Sequence, residues 1–214
     1  MSGITYQLAF TSAAIEDPLS AGGAFSNNTQ GVGGNVAPTN FANLRVALAA
    51  DGLTRIAMGA PTPAQADELA FAFKPGVGRN MRVTAVVYRA AGYASPNWHM
   101  LELLLGCKTW AGGVRWLACR AFAAGNVSMA SIGPGVSTTL LAPYSITAPL
   151  ADGDVLTAEV IGDTLSSYLN GVFLDRYTGD LVAGLGDGAG IGVFYRAGAD
   201  VTALGFRSLK VEPI

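Results

Sequence analysis

The segment GDVLTAEVIGDTLSSYLNGVFLDRYTGD, Gly153 to Asp180, decides the fold of this chain. Apolar and polar residues alternate from Leu156 to Val160, which is the two-residue period of a strand with one buried face. Gly162-Asp163 then marks a tight reversal, and Asn170-Gly171 supplies the two positive-φ positions of a type I′ hairpin turn. The segment therefore predicts three consecutive antiparallel strands, a β-meander.

The same pattern of short β-rich runs between turn-forming residues extends over the rest of the chain. No segment has the 3.6-residue period of an amphipathic helix over three turns, so we expect less than about 10% helix. Many short strands at this spacing predict a sandwich or barrel. The predicted strands are 4–10, 44–48, 53–58, 68–73, 81–89, 98–107, 114–122, 136–141, 155–161, 165–169, 172–177, 190–195 and 201–211.

The length of 214 residues is compatible with a single domain over 1–214, because all-β domains often reach this size. The stretch 22–43 is rich in Gly and Asn. We interpret it as a long surface loop or arm, with a short strand around Phe25.

The composition is poor in charge, with 13% charged residues against about 25% in ordinary soluble domains. Ten Arg stand against three Lys, and ten Asp against five Glu. Lys and Glu are depleted from protein interfaces, so this bias predicts a homo-oligomer or other assembly; compositional drift in a GC-rich genome would explain it equally well. A net charge of −2 and the absence of a basic stripe argue against nucleic-acid binding.

Neither a membrane span nor a signal peptide is evident in the sequence. No stretch approaches the eighteen uninterrupted apolar residues of a span, and the start Met1-Ser2-Gly3-Ile4 lacks a basic and an apolar region. We therefore expect assembly in a cytoplasm.

The chain resembles the concanavalin A-like lectin/glucanase superfamily, including laminin G-like domains, and its opening Glu16 to Thr29 loosely resembles the first strands of such domains. The resemblance is carried by the meander, by GAGIGVFYR (Gly188 to Arg196) and by the final strand VTALGFRSLKVE, and it is specific from about Pro149 onward. It implies an antiparallel two-sheet jelly-roll sandwich. Domains of this pattern are common in bacteriophage virion proteins.

Hydrolytic chemistry is not supported by the acids or the histidine. Glycosidases of that superfamily carry E-x-D-x-E on one strand, because alternate residues project into the same cleft. None of the five glutamates here has an acid two residues away, and His99 is the only histidine. We therefore predict a protein that is not an enzyme and has no catalytic residues.

The sequence also predicts no metal cluster and no disulfide framework. No cofactor is expected, although six acids predicted to lie in loops leave calcium possible. Free buried thiols are expected for Cys107 and Cys119, with a cross-strand disulfide as the alternative if a hairpin places the two opposite each other. The six acids are Asp152, Asp154, Asp163, Asp175, Asp180 and Asp187.

Four aromatic residues are the candidate ligand-binding set. If Gly112-Gly113 forms a reversal, Trp110 and Trp116 face each other across a hairpin. With Tyr93 and Trp98 they would form a stacking platform for sugar rings or an anchor for a protein partner. The alternative is that these rings fill the sandwich core.

These observations predict a non-enzymatic bacteriophage virion structural protein. It would be a capsid-surface decoration or tail-associated module that binds other virion proteins and stabilises the particle or contacts the host. The alternative is a stand-alone, lectin-like carbohydrate-binding module that recognises a surface glycan.

Overall fold

A computed structural model describes twelve parts of the chain. They are residues 6–9, 26–30, 44–48, 54–58, 67–74, 76–94, 99–110, 113–133, 136–145, 148–180, 185–196 and 203–214. All fifteen secondary-structure elements in these parts are β-strands. The same parts contain no helix long and apolar enough to cross a membrane.

The strands follow one another along the chain with short connections in the second half. In chain order they are β1 Tyr6–Ala9, β2 Ser26–Gln30, β3 Leu44–Leu48, β4 Thr54–Met58, β5 Asp67–Lys74, β6 Met81–Arg89, β7 Met100–Trp110, β8 Gly113–Phe122, β9 Asn126–Gly133, β10 Val136–Ser145, β11 Val155–Ile161, β12 Thr164–Leu169, β13 Val172–Thr178, β14 Gly188–Arg196 and β15 Leu204–Pro213.

The strands form two antiparallel sheets that pack face to face. Sheet A has the order β13-β12-β11-β6-β15-β4-β3, and β1 also pairs with β15. Sheet B has the order β10-β9-β8-β7-β14-β5-β2. The chain is therefore an all-β, antiparallel two-sheet jelly-roll sandwich, as the sequence predicted.

Most strand bounds agree with the sequence prediction, and three agree fully: β3, β6 and β11. Strand β9, Asn126–Gly133, was not predicted, because its Ser, Ala and Gly have weak strand preference. It forms because it pairs with β8 on one side and β10 on the other. In the predicted arm 22–43, β2 pairs with β5 at the edge of sheet B, and the rest of the arm lies outside the described residues.

The core lies between the two sheets. Alternate residues of β7, such as Leu101 and Leu103, point from sheet B towards Val83 and Ala85 of β6 in sheet A, and all four are buried. Burying one large aliphatic side chain contributes about 1.5–3 kcal/mol. The two-residue period of the strands therefore decides which side chains remain outside the sandwich, where a site can form.

The predicted meander is present as β11, β12 and β13. Asn170 and Gly171 take φ values of 52° and 77°, and Leu169 pairs with Val172 across the turn. The Asn170 Oδ1 atom accepts a hydrogen bond of 2.8 Å from Val155 N, and its Nδ2 donates one of 2.9 Å to Asp154 Oδ1. The hairpin prediction is confirmed, and Asn170 also ties the turn to the start of β11.

Changes at this turn are expected to destabilise the fold. Gly171→Val forces a β-branched side chain into positive φ, and Asn170→Ala removes both side-chain hydrogen bonds, so each should cost about 1 kcal/mol or more. Urea denaturation would measure this. Gly171→Asn is the matched control, because Asn tolerates positive φ. This variant should lower the free energy of unfolding much less than Gly171→Val does. Equal midpoints for Gly171→Val and wild type would contradict the role of the turn.

A β-bulge in β7 separates the two cysteines. Gly106 has a φ of 64°, and the β7–β8 register shifts between Leu105 and Lys108. Cys119 pairs with Leu103 and faces the core, whereas Cys107 belongs to a buried cluster on the other face of sheet B. Both are free, so the disulfide alternative was wrong. Burial raises the pKa of Cys119 to about 12 and that of Cys107 well above its ordinary value.

Candidate functional site

Of the four predicted aromatic residues, the structure describes the side chains of two, Tyr93 and Trp116. Trp110 pairs with Gly113, so the reversal comes one residue earlier than expected and Trp116 does not face Trp110. Trp116 pairs with Ile132 of β9 instead and is fully buried, which removes it from any stacking surface. Trp98 and the side chain of Trp110 lie outside the described residues.

Tyr93 is partly buried and has structural contacts. Its hydroxyl is 2.6 Å from His99 Nδ1, with the two rings in an edge-to-face arrangement at 5.7 Å. Its carbonyl oxygen accepts a hydrogen bond of 2.9 Å from Arg89 Nη2. These contacts fix the chain where it enters β7, and they leave the ring packed against the core.

The outer face of sheet B, which points away from sheet A, holds a buried ion pair. Arg120 Nε donates a hydrogen bond of 2.8 Å to Glu102 Oε1, and the side chains are 10% and 0% exposed. Around the pair lie Met100, Leu104 and Phe194, all buried. Among the described residues, no hydrogen-bond partner reaches the second oxygen of Glu102.

This arrangement does not provide paired catalytic acids. Before its bulge, β7 places Met100, Glu102 and Leu104 on the outer face, so this part of the strand carries one acid where a glycosidase of the E-x-D-x-E type carries three. Glu102 is also held by Arg120 on the neighbouring strand. Glu102 therefore forms an ion pair with Arg120, at a place where a glycosidase would have a proton-donating acid and a nucleophile.

The outer face of sheet A is different, because it is polar and open. Its first row of side chains crosses five neighbouring strands in register. Arg82 binds Glu159 through Nε and lies 3.6 Å from Glu212 through Nη1. The hydrogen bond with Glu159 raises the pKa of the Arg82 guanidinium. The first row is Glu212, Arg82, Glu159, Ser166 and Arg176.

The second row of sheet A lies beside the first and carries hydroxyls and aromatic rings. Thr84 and Thr157 face each other with 3.4 Å between their hydroxyl oxygens. Tyr168 packs edge-to-face on Phe173 at 5.8 Å, and Phe173 is 51% exposed. The Tyr168 hydroxyl donates a long hydrogen bond of 3.4 Å to Glu159 Oε2. The second row is Lys210, Thr84, Thr157, Tyr168 and Phe173.

Except for Ser166, Arg176 and Phe173, the side chains of the two rows line an open depression of about 410 Å³, which we call the sheet A groove. It combines an aromatic ring, three hydroxyls, two carboxylates and two cations on neighbouring strands. Strand alternation predicted that Thr157 and Glu159 point outward, but only strand pairing places them beside Arg82 and Tyr168. The lining residues are Arg82, Thr84, Thr157, Glu159, Tyr168, Gly171, Lys210 and Glu212.

Several of the loop acids considered for calcium are already engaged by protein groups. Asp152 binds Arg207 at 2.7 Å, and Asp154 accepts hydrogen bonds from Ala151 N and Asn170 Nδ2. Asp187 Oδ1 accepts a hydrogen bond from Gly76 N.

Asp175 lies within strand β13 and not in a loop. Asp163 and Asp180 line a depression that also contains the cationic Arg79. No group of three or more metal-ligating side chains comes together in the described parts of the chain.

Comparison with solved structures reveals a shared fold at low identity. A β-glucanase of Bacillus licheniformis is 11% identical, with a TM-score of 0.60 over 100% of both chains. A glycoside hydrolase family 16 endo-glucanase of Bacteroides ovatus is 9% identical, with a TM-score of 0.57 over 96% of this chain and 99% of that one. The carbohydrate-binding module CBM66 of Bacillus subtilis is 9% identical, with a TM-score of 0.50 over 94% of this chain and 97% of that one.

Sequence comparisons add no relative. No protein-family model matches the chain, and no curated protein matches it. The similarity therefore concerns the arrangement of the strands.

Proposed function

The chain has the concanavalin A-like lectin/glucanase jelly-roll fold, and we propose that it is a non-catalytic module that binds glycans through the sheet A groove. The observation that carries this proposal is the juxtaposition of Tyr168 with the hydroxyls of Thr84 and Thr157 and the carboxylates of Glu159 and Glu212. The lectin-like alternative predicted from the sequence thus becomes the main proposal, with a site other than the predicted aromatic set.

The groove offers the two kinds of contact that a sugar ring needs. An aromatic ring presents an apolar face, onto which the C–H face of a sugar can pack. Carboxylates and threonine hydroxyls accept and donate hydrogen bonds to sugar hydroxyls, and bonds to a charged partner are about twice as strong as neutral ones. Five strands at about 4.8 Å spacing extend over about 19 Å, so the two rows form an elongated surface.

The groove lacks the features of a hydrolytic site. A glycosidase acid is held protonated by apolar surroundings. Glu159 and Glu212 instead both face the guanidinium of Arg82. Glycan binding without cleavage is therefore the function that this geometry supports best.

A virion-surface location stays a prediction from the sequence, together with homo-oligomerisation and contacts with other virion proteins. No contact among the described residues bears on them. The glycan proposal is compatible with a module that contacts a host surface.

Binding to a glycan array, followed by calorimetric titration of the best ligand, tests the proposal. Tyr168→Ala should weaken binding about tenfold, because it removes the ring and its hydroxyl. Thr157→Val should weaken binding several-fold, since it removes a hydroxyl from the groove. The matched control is Thr164→Val, because Thr164 lies on the same outer face but outside the groove and bonds Thr178. An array without ligands, or a Tyr168→Ala variant that binds as wild type, would refute the proposal.

A further inference from the structure

We propose that the sheet A groove selects uncharged glycans and discriminates against glycans that carry carboxylates. This inference rests on the proposed function, because it concerns the ligand class of the same groove. It comes from the pairing of the charged groups, because each cation that lines the groove is already neutralised by a carboxylate.

Each cation that lines the groove already has a carboxylate partner. Arg82 bonds Glu159 and also faces Glu212. Lys210 Nζ lies 2.7 Å from Glu212 Oε2. Two cations and two carboxylates therefore cancel within one continuous network, and the groove has no net charge.

An anionic sugar would meet cations whose charge this network already neutralises. Its carboxylate could reach Arg82 or Lys210 only by lying next to Glu159 or Glu212. Like charges at short range repel each other strongly where the side chains are partly shielded from water. The side chains of Glu159 and Glu212 are 13% and 18% exposed, so water screens this repulsion incompletely.

An uncharged sugar can bind without disturbing the ion pairs. A carboxylate oxygen has more than one acceptor position, so Glu159 and Glu212 can keep their cations and still accept sugar hydroxyls. Glu159 Oε2 has only a long 3.4 Å contact from Tyr168, which leaves room for a shorter bond. The paired hydroxyls of Thr84 and Thr157 can both donate and accept, as sugar hydroxyls do.

The network also predicts how the preference for uncharged glycans can be reduced. Glu159→Gln keeps the shape of the side chain but removes one negative charge, which leaves Arg82 without its closest counter-ion. This variant should bind a uronate glycan at least about threefold more tightly than wild type does. Asp163→Asn is the matched control, because it removes one negative charge from an acid that lies outside the groove.

Paired ligands that differ only in charge test the inference. Hexasaccharides of glucose, galactose and mannose are titrated beside their C6-oxidised uronate forms, at 50 mM and 500 mM NaCl. We expect the neutral form to bind at least about tenfold more tightly, with an affinity that changes less than about twofold with salt. We expect Glu159→Gln, but not Asp163→Asn, to reduce the difference in affinity between the neutral and the uronate forms.

The outcomes separate the two proposals. Tighter binding of the neutral forms, together with a smaller preference for them in Glu159→Gln, supports both glycan binding and the charge inference. Preferential binding of uronate forms overturns the charge inference and leaves glycan binding in place, as does an unchanged preference in Glu159→Gln. If no neutral or oxidised glycan binds the folded protein, glycan binding itself fails and the inference fails with it.

Discussion

Arg120→Ala is expected to destabilise the protein by about 3–5 kcal/mol, because it leaves the Glu102 carboxylate buried without its counter-ion. Glu102 is fully buried, and Arg120 holds it with a 2.8 Å hydrogen bond. Buried apolar side chains such as Met100 and Leu104 lie on the same face, so little polar protein surface is available to replace the guanidinium. Guanidinium chloride denaturation at neutral pH would measure the decrease in the free energy of unfolding.

Two further variants separate the burial of the charge from the loss of packing. The double change Glu102→Leu with Arg120→Met should recover most of the stability, because it removes both charges and keeps the volume. Lys210→Ala is the control for an exposed pair and should cost at most about 1 kcal/mol. If Arg120→Ala costs no more than Lys210→Ala, then Glu102 and Arg120 are not a buried pair in solution.

Gly186→Ala is expected to cost about 3 kcal/mol or more, because there is no space for a methyl group at this position. An added Cβ would overlap the carbonyl oxygen of Cys107 and come within 2.8 Å of Lys108 Cβ. Gly186 N also donates a hydrogen bond of 3.0 Å to Gly106 O, and this bond stabilises the bulge in β7. A clash with backbone cannot be relieved by a rotamer change, and overpacking typically costs about 1–3 kcal/mol even where side chains can move.

Gly162→Ala provides the comparison for this change. Gly162 has a φ of 59°, but nothing lies within 4 Å of an added Cβ. Gly162→Ala should therefore lower the free energy of unfolding by only about 1 kcal/mol, which is the conformational cost of a side chain at positive φ. Thermal unfolding of both variants would show the difference, and a Gly186→Ala midpoint equal to that of Gly162→Ala would refute the close approach of the backbone at Cys107.

Local patterns in the sequence were sufficient to predict the strands and the turns of the meander. The alternation from Leu156 to Val160 fixes one buried and one exposed face without reference to any other strand. Asn170-Gly171 is a turn because few other dipeptides tolerate two positive φ values in succession. The absence of paired acids could also be established from spacing alone, since alternate residues of one strand share a face.

Only the tertiary structure decided which exposed residues lie together. The bulge at Gly106 shifts the β7–β8 register, which places Cys107 and Cys119 on opposite faces. Trp116 lies on the same outer face as Cys107 and is buried there. A one-residue shift turns the following side chains to the other face. The sequence contains no signal strong enough to place that shift, because the apolar run around Gly106 is compatible with either register.

The sheet A groove depends on pairing between strands that are distant in the chain. Arg82 and Glu159 are 77 positions apart, and they become neighbours because β6 lies between β11 and β15. The sequence by itself determined that Glu159 points outward from its strand. The order and register of the strands then determined that Glu159 forms one neutral network with Arg82, Glu212 and Lys210 beside Tyr168, since long-range pairing is set by the packing of the whole sandwich.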